Sequence, residues 1–342
     1  MKTRVILLDP THPHADGIAE AARILLAGGL VAFPTETVYG LGANALDASA
    51  VERIFWAKGR PSNNPLIVHV ADAERVREVA AAWPECAARL AERFWPGPLT
   101  LVLPKRALVP DAVTAGGPTV AVRVPAHPLA QALLRAAAVP IAAPSANRSM
   151  ELSPTRADHV LRGLNGRIDV LLDGGPTAGG IESTVLDVTA HPPRLLRPGL
   201  IGIAELEAVI GPLTHTRSLT VADRDIAQAL PSPGMLPRHY APRTPLECVE
   251  SGDTERIASL IAEGYRIGWV TFATVPQVES SAVRVRVLPS DPAGYAAQLY
   301  AVLHELDAEA LDRIVVTLPP DGDDWLAVRD RLRRAQANIT SA

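Results

Sequence analysis

The chain has 342 residues, 48% of them hydrophobic and 20% charged, which is apolar material enough for one large domain or, by size, two. Basic and acidic side chains number 33 and 37, a formal charge of −4, which excludes a broadly cationic nucleic-acid surface and leaves only a local patch for such a role. The two cysteines, Cys86 and Cys248, stand far apart among apolar residues; they exclude a disulfide framework or a Cys-rich zinc site and read as reduced core thiols.

The apolar run Val5-Ile6-Leu7-Leu8 is too short for a secretory core, and no stretch of about 18 apolar residues follows, so a cytoplasmic protein without membrane spans is expected. Residues 16–28 place Ile18, Ala21, Ile24 and Leu25 on one face and end in Gly28-Gly29, an amphipathic helix with a stop. A strand from Leu30 to Phe33 then enters Pro34-Thr35-Glu36-Thr37-Val38-Tyr39-Gly40-Leu41-Gly42-Ala43-Asn44. Hydroxyls, an acid and a phenol on a glycine-containing loop suit chemistry, and a helix N-cap at Thr35 or Thr37 would itself favour an anion.

Val51, Ile54 and Phe55 mark a helix that Gly59 and Pro61 must end, after which Leu66 to Val70 reads as a buried strand. Lys58 and Arg60 therefore sit in a turn at a strand mouth, where they suit an anion unless they are merely solvated loop cations. Lysine is scarce, only Lys2, Lys58 and Lys105 against thirty arginines, so a compact point charge beside a forked guanidinium is notable.

Helices are expected near 72–80 and 85–94, then strands at 99–103 and 119–124, the latter placing Arg123 in an apolar run. A buried cation needs a partner, and position alone favours a core acid over a ligand carboxylate. A strand from Pro140 to Ala143 ends in Pro144-Ser145-Ala146-Asn147, and Ser153-Pro154-Thr155 caps a helix at 155–163. Strands at 169–172, after Glu182-Ser183-Thr184, and at 194–197 follow. Because 99–103 and 119–124 are joined without a helix, the fold expected is α/β with a twisted mixed sheet and flanking helices, not a doubly wound one. Neither a P-loop nor a properly placed Gly-x-Gly-x-x-Gly is present.

From 215 to 245 the chain is proline-rich and polar, a linker that nonetheless carries Arg238, His239, Tyr240 and Arg243. Beyond it, strands at 246–250, 267–272, 283–288 and 312–317 and helices near 253–263, 293–308 and 323–338 describe a smaller α/β domain with no evident site. The expected division is thus 1–214, a 215–245 linker or lid, and 246–342.

These motifs in this order, Pro34 to Leu41, Lys58-Gly59-Arg60-Pro61 with Asn64-Pro65-Leu66, Pro144 to Asn147, Glu182 to Val185, Arg197-Pro198-Gly199, Ser232 to Met235 and His239 to Pro242, closely resemble the threonylcarbamoyl-AMP synthase family in its long two-domain form. The resemblance implies a YrdC-like first domain and a Rossmann-like second one. It implies that L-threonine, bicarbonate or CO2, and ATP give threonylcarbamoyl-AMP and pyrophosphate, the first step of tRNA N6-threonylcarbamoyladenosine formation.

By the same resemblance Lys58 and Arg60 are catalytic. Arg60, Asn64, Thr119, Ser145, Asn147, Ser153, Arg197 and Tyr240 hold ATP, with Lys58 at its phosphates. Thr37, His69, Arg123, Ala143 and Ser183 hold threonine. Mg²⁺ would be carried by the ATP phosphates, with no protein cage. The tRNA threonylcarbamoyl transferase machinery would act downstream, with weak RNA binding as a further expectation. The reading of another class is a double-stranded RNA-binding module without nucleotidyl transfer, against which the acidic balance counts. Carbamoyl-adenylate formation on another acceptor, as in hydrogenase maturation, would bring acylphosphatase and zinc-finger modules that this chain lacks.

Overall fold

The computed structural model describes residues 2–12, 14–215, 240–251, 253–272 and 281–336. Its first part runs β1 (Arg4–Leu7), α1 (Ala15–Leu26), β2 (Val31–Pro34), β3 (Tyr39–Asn44), α2 (Ala48–Lys58), β4 (Ile67–His69), α3 (Glu85–Phe94), β5 (Leu99–Pro104) and α4 (Asp111–Thr114). It continues through β6 (Thr119–Arg123), α5 (Pro128–Ala137), β7 (Ile141–Ala142), α6 (Ala157–Leu164), β8 (Val170–Asp173), β9 (Thr184–Asp187), β10 (Arg194–Arg197), α7 (Ile203–Ile210) and β11 (Thr214–His215). These strands make one eleven-stranded sheet in the order β1-β8-β2-β3-β7-β4-β6-β5-β9-β10-β11.

Parallel pairs such as β4 with β6 alternate with antiparallel ones such as β2 with β3 and β5 with β6, so the sheet is mixed, as expected. Both of its faces are covered. Successive residues of one strand serve different cores: Ala32 joins the cluster with Leu41, Ile54 and Leu90, while Val31 and Phe33 join the cluster of α1 and α5 with Leu25, Leu129 and Leu133. This two-sided burial explains why the strands read as continuous apolar runs.

The segment 34–44, expected as a loop, is a hairpin: only Thr35–Val38 turns, and Tyr39–Asn44 pairs antiparallel with β2 from Pro34↔Tyr39 to Val31↔Gly42. Glycines obscured the strand, yet the sheet needs them, since a Cβ on Gly42 would stand 2.8 Å from both Ile141 and Phe33. Helices α5 and α7 carry apolar stripes that the motif reading passed over; α5 begins with Pro128 in its first turn, and His127 Nδ1 accepts from the Leu129 amide at 3.2 Å. The helix expected at 72–80 is only a short 3₁₀ stretch, Glu74–Glu78.

The second domain comprises β12 (Leu246–Val249), α8 (Glu255–Ala262), β13 (Ile267–Thr271), β14 (Val283–Val287), α9 (Pro292–Asp307), β15 (Arg313–Thr317) and α10 (Leu326–Ala335). Its four strands, in the order β12-β15-β13-β14, are all parallel, which suits the Rossmann-like expectation. Its core is not separate from the first domain. Val38, Leu152 and Ile181 pack in one cluster with Tyr240, Leu246, Tyr295 and Tyr300. Arg238, His239 and the Ser232 to Met235 motif lie outside the described residues. No helix among the described residues is long and apolar enough to cross a membrane.

Candidate active site

Strand ends and the hairpin turn converge on one cleft lined by Thr37, Arg60, His69, Arg123, Ala143, Ser145, Ser183, Arg197 and Tyr240 together with Thr35, Glu182 and their neighbours. The turn of the β2–β3 hairpin is built by Thr35, whose hydroxyl donates to the Val38 carbonyl at 2.7 Å and accepts from the Thr37 and Val38 amides at 3.2 Å. The Thr37 hydroxyl is thereby held where Arg123 Nη1 donates to it at 3.0 Å. Arg123 Nη2 lies 2.7 Å from Glu36 Oε1, and its Nε donates to the Gly97 carbonyl at 3.2 Å. The partner of the buried cation is therefore an acid of the turn, and the guanidinium still borders the cleft.

His69 is the register partner of Arg123 across the parallel β4–β6 pair and is 3% exposed. Burial, reinforced by the Arg123 charge, pushes its imidazole down to about 3, so it stands neutral against the edge of Phe33. A neutral ring beside a guanidinium can read a polar ligand without adding charge.

On the other wall Arg197 Nε and Nη2 both donate to the Ser183 carbonyl, at 3.1 and 2.9 Å, and Nη2 also reaches Ser183 Oγ at 3.1 Å. The Ser183 hydroxyl is paired with Thr100 Oγ1 at 2.8 Å. Arg60 donates from Nε to the Asn64 carbonyl at 3.1 Å, and from Nη2 to Asn64 Oδ1 at 2.6 Å and the Pro65 carbonyl at 2.8 Å. Burial presses the Arg60 guanidinium down to about 9, which still leaves it charged at neutral pH. Tyr240 lines the cleft at 1% exposure, with a backbone φ of 62° that a bulky residue adopts only when its surroundings impose it.

Several expected residues are not in the cleft. Lys58 is not a turn cation but the last residue of α2, 1% exposed: its Nζ donates to the Ser145 carbonyl at 2.5 Å, to the Asn147 carbonyl, and reaches Asn147 Oδ1 at 3.5 Å. Burial, and next the Arg60 cation, hold the amine well below the ordinary lysine range. The sequence contains the sign of this, since Val51, Ile54 and Lys58 share one helical stripe. Asn64 and Ser153, both fully buried, and Asn147 support the walls instead of lining them; Ser153 Oγ donates to Glu182 at 2.5 Å, and Asn147 Nδ2 donates to the Arg148 and Glu151 carbonyls. Thr119 opens β6 while Arg123 ends it, so they stand roughly 13 Å apart along the strand, and Thr119 does not line the cleft.

Motif reading assigned nothing to Glu36, or to Glu182 and the second-domain residues that meet it. Glu182 accepts from Ser153, from Tyr300 at 3.3 Å and from Arg331 at 2.7 Å. Although burial pushes its carboxyl up, Arg331 and Arg197 outweigh this and hold it below its usual value. Among the described residues no group of three or more His, Cys, Asp and Glu could hold a metal ion, and Glu182 of the cleft and Glu36 beside it are already engaged by arginines.

Comparison with known proteins places this geometry. Residues 23–199 match the family model described as "Telomere recombination", and residues 201–337 the one described as "Threonylcarbamoyl-AMP synthase, C-terminal domain". The chain is 46% identical to the threonylcarbamoyl-AMP synthase of Bacillus subtilis over 98% of both chains, and 45% identical to that of Pyrococcus abyssi over 92% of both. The crystal structure of P. abyssi Sua5 complexed with L-threonine superimposes with a TM-score of 0.89 at 43% identity, covering 97% of each chain. Near-complete coverage of both domains at such identity leaves one assignment: the chain belongs to the threonylcarbamoyl-AMP synthase family.

Proposed function

We propose that the cleft joins L-threonine, bicarbonate or CO2, and ATP into threonylcarbamoyl-AMP with release of pyrophosphate. The observation that carries this reading is the placement of the Arg123–Thr37 pair in the same cleft as Arg60 and Arg197. One guanidinium with a hydroxyl suits an amino-acid carboxylate, and the two others suit phosphates.

In this reading the threonine amine carries a carboxylate as a carbamate, whose oxygen attacks the α-phosphorus while the P–O bond to pyrophosphate breaks. Two anions must approach, and Arg60 and Arg197, buried and already oriented by backbone carbonyls, offset that repulsion without reorganising. Lys58 serves the site through the Ser145–Asn147 segment that it holds. Thr37, His69, Arg123, Ala143 and Ser183 bind threonine. Arg60, Ser145, Arg197 and Tyr240 contact the nucleotide, with Asn64, Asn147 and Ser153 fixing their positions. Mg²⁺ would be held by the phosphates, since Glu36 and Glu182 are engaged by arginines.

The product would pass to the machinery that transfers threonylcarbamoyl to tRNA, in the cytoplasm, where ATP and tRNA meet. The double-stranded RNA reading finds no support at this site, because Arg60, Arg123 and Arg197 are each under 9% exposed and cannot present phosphate contacts to a duplex. Incubation with ATP, bicarbonate and each amino acid in turn, with pyrophosphate release followed, tests the proposal. Release is expected with threonine, serine being poorer by the worth of one methyl, about fivefold. Release independent of amino acid would overturn it.

A further inference from the structure

We propose that Arg331, on α10 of the second domain, is a positioning residue of the synthesis site, acting through Glu182 and Pro198 to set Ser183, Arg197 and Tyr240. This inference rests on the function proposed above. Arg331 is 1% exposed and distributes its guanidinium over both domains. Its Nε donates to Glu182 Oε2 at 2.7 Å and its Nη2 to the Pro198 carbonyl at 3.0 Å, while Nη1 is held by Asp330 at 2.8 Å on its own helix. The guanidinium carbon also lies 5.1 Å from the centre of the Tyr240 ring.

The residues gripped are the chain neighbours of the site residues. Glu182 precedes Ser183, Pro198 follows Arg197, and Arg197 donates back to the Ser183 carbonyl and hydroxyl. A closed circuit results: Arg331, Glu182, Ser183, Arg197, Pro198 and Arg331 again. The second domain tightens it with Tyr300, whose hydroxyl donates to the same Glu182 oxygen at 3.3 Å, and it seats against backbone alone beside it. A Cβ on Gly180 would stand 2.2 Å from the Ala296 carbonyl of α9, at a φ of 74° that glycine tolerates.

A charge pair placed here, rather than apolar packing, fixes direction as well as distance. A fork whose donors point at different elements admits one relative placement of the β9 entry and the β10 exit. Arg197 is thereby aimed at the cleft before substrate arrives.

The test uses the full-length protein and three variants. Threonine-dependent pyrophosphate release by the wild type establishes the underlying reading; if it is absent, that reading fails independently of Arg331. Arg331→Lys keeps the buried cation beside Glu182 but not the fork. It is expected to lower kcat about tenfold or more while the thermal midpoint falls less than in Arg331→Met. The neutral pair Glu182→Gln with Arg331→Met removes both charges together. It is expected to recover the thermal stability lost in Arg331→Met alone, yet to keep kcat at least about tenfold down. A purely structural role predicts that activity returns with stability. Wild-type kcat in Arg331→Lys, or its recovery in the neutral pair, would overturn the proposal; should the neutral pair not fold, Arg331→Lys decides it alone.

Discussion

Arg123 sits 2.7 Å from the Glu36 carboxylate and 3.0 Å from the Thr37 hydroxyl, so the arginine proposed to read the threonine carboxylate already carries a carboxylate partner. The pair keeps a buried guanidinium neutralised before substrate arrives, and an amino-acid carboxylate must share or displace Glu36. Arg123→Ala would leave Glu36 unpaired and Thr37 without its donor. Threonine affinity should fall by about 2–3 kcal/mol, some 30- to 150-fold, with ATP affinity changed far less. Calorimetric titration of each ligand decides; equal losses for both would show that Arg123 does not serve the amino acid.

Lys58→Met should destabilise the fold by about 1–3 kcal/mol, because the Ser145 and Asn147 carbonyls lose a donor inside the protein. A side chain on a solvent-facing turn would have been neutral. Urea unfolding measures the difference, and an unchanged midpoint together with lost activity would return Lys58 to the phosphates.

Arg60→Lys should lose at least about 2 kcal/mol of transition-state stabilisation, roughly 30-fold in rate, since an ammonium cannot bridge Asn64 and the Pro65 carbonyl while facing a phosphate. Pyrophosphate release near the wild-type rate would remove Arg60 from the mechanism.

Acid should unfold the protein through its buried histidines. His69 titrates near 6.5 when unfolded and about 3 in the fold, so the unfolded chain binds the extra proton between those values. Stability is full above about pH 6.5 and is lost as pH falls towards 3, by about 2 kcal/mol for His69 at pH 5. His159 and His304, stacked at 3.8 Å between the domains and pushed down to about 3 and 4 mainly by burial, add in the same direction. Denaturant midpoints at about pH 7.5 and pH 5 give the slope, which His69→Gln should reduce. A flat profile would mean that these rings are not held neutral.

Tyr240→Ala should weaken binding of a non-hydrolysable ATP analogue about tenfold while sparing threonine, if the ring closes the nucleotide side of the cleft. Equal affinities in mutant and wild type would reduce Tyr240 to packing against Tyr300 and Arg331. Cutting the chain near residue 215 is a harsher experiment: it strips the partners of Val38, Leu152, Ile181 and Glu182, so the first part should bind hydrophobic dye and lose stability, not persist as an intact domain.

Much of this was legible in the chain. Apolar runs ending in Gly, Pro or Asn mark where a strand stops and a loop begins, which placed Thr37, Arg60, Ser145, Ser183 and Arg197 at one cleft, whereas His69, Arg123 and Tyr240 were assigned to it through the family resemblance. Mixed pairing was legible for a similar reason, a short connection between 99–103 and 119–124. The strand Tyr39–Asn44 was not, since glycine gives no apolar signal and is explained only by Ile141 and Phe33 packed against it.

Local pattern also carried clues that needed the fold to acquire meaning. Lys58 shares a stripe with Val51 and Ile54, and Arg331 shares one with Val328, Leu332 and Ala335, so each is marked for burial. What a buried cation pairs with is a different question. Glu182 and Arg331 are separated by 149 residues, and Lys58 and Ser145 by 87. Helical and strand periodicity specify which face of an element turns inward, and that much the amino-acid order determined alone. The choice of partner across such distances depends on how the two sheets dock and on which charges that docking leaves without water, so only the tertiary structure could decide that a helix of the second domain backs Glu182 behind the first domain's cleft.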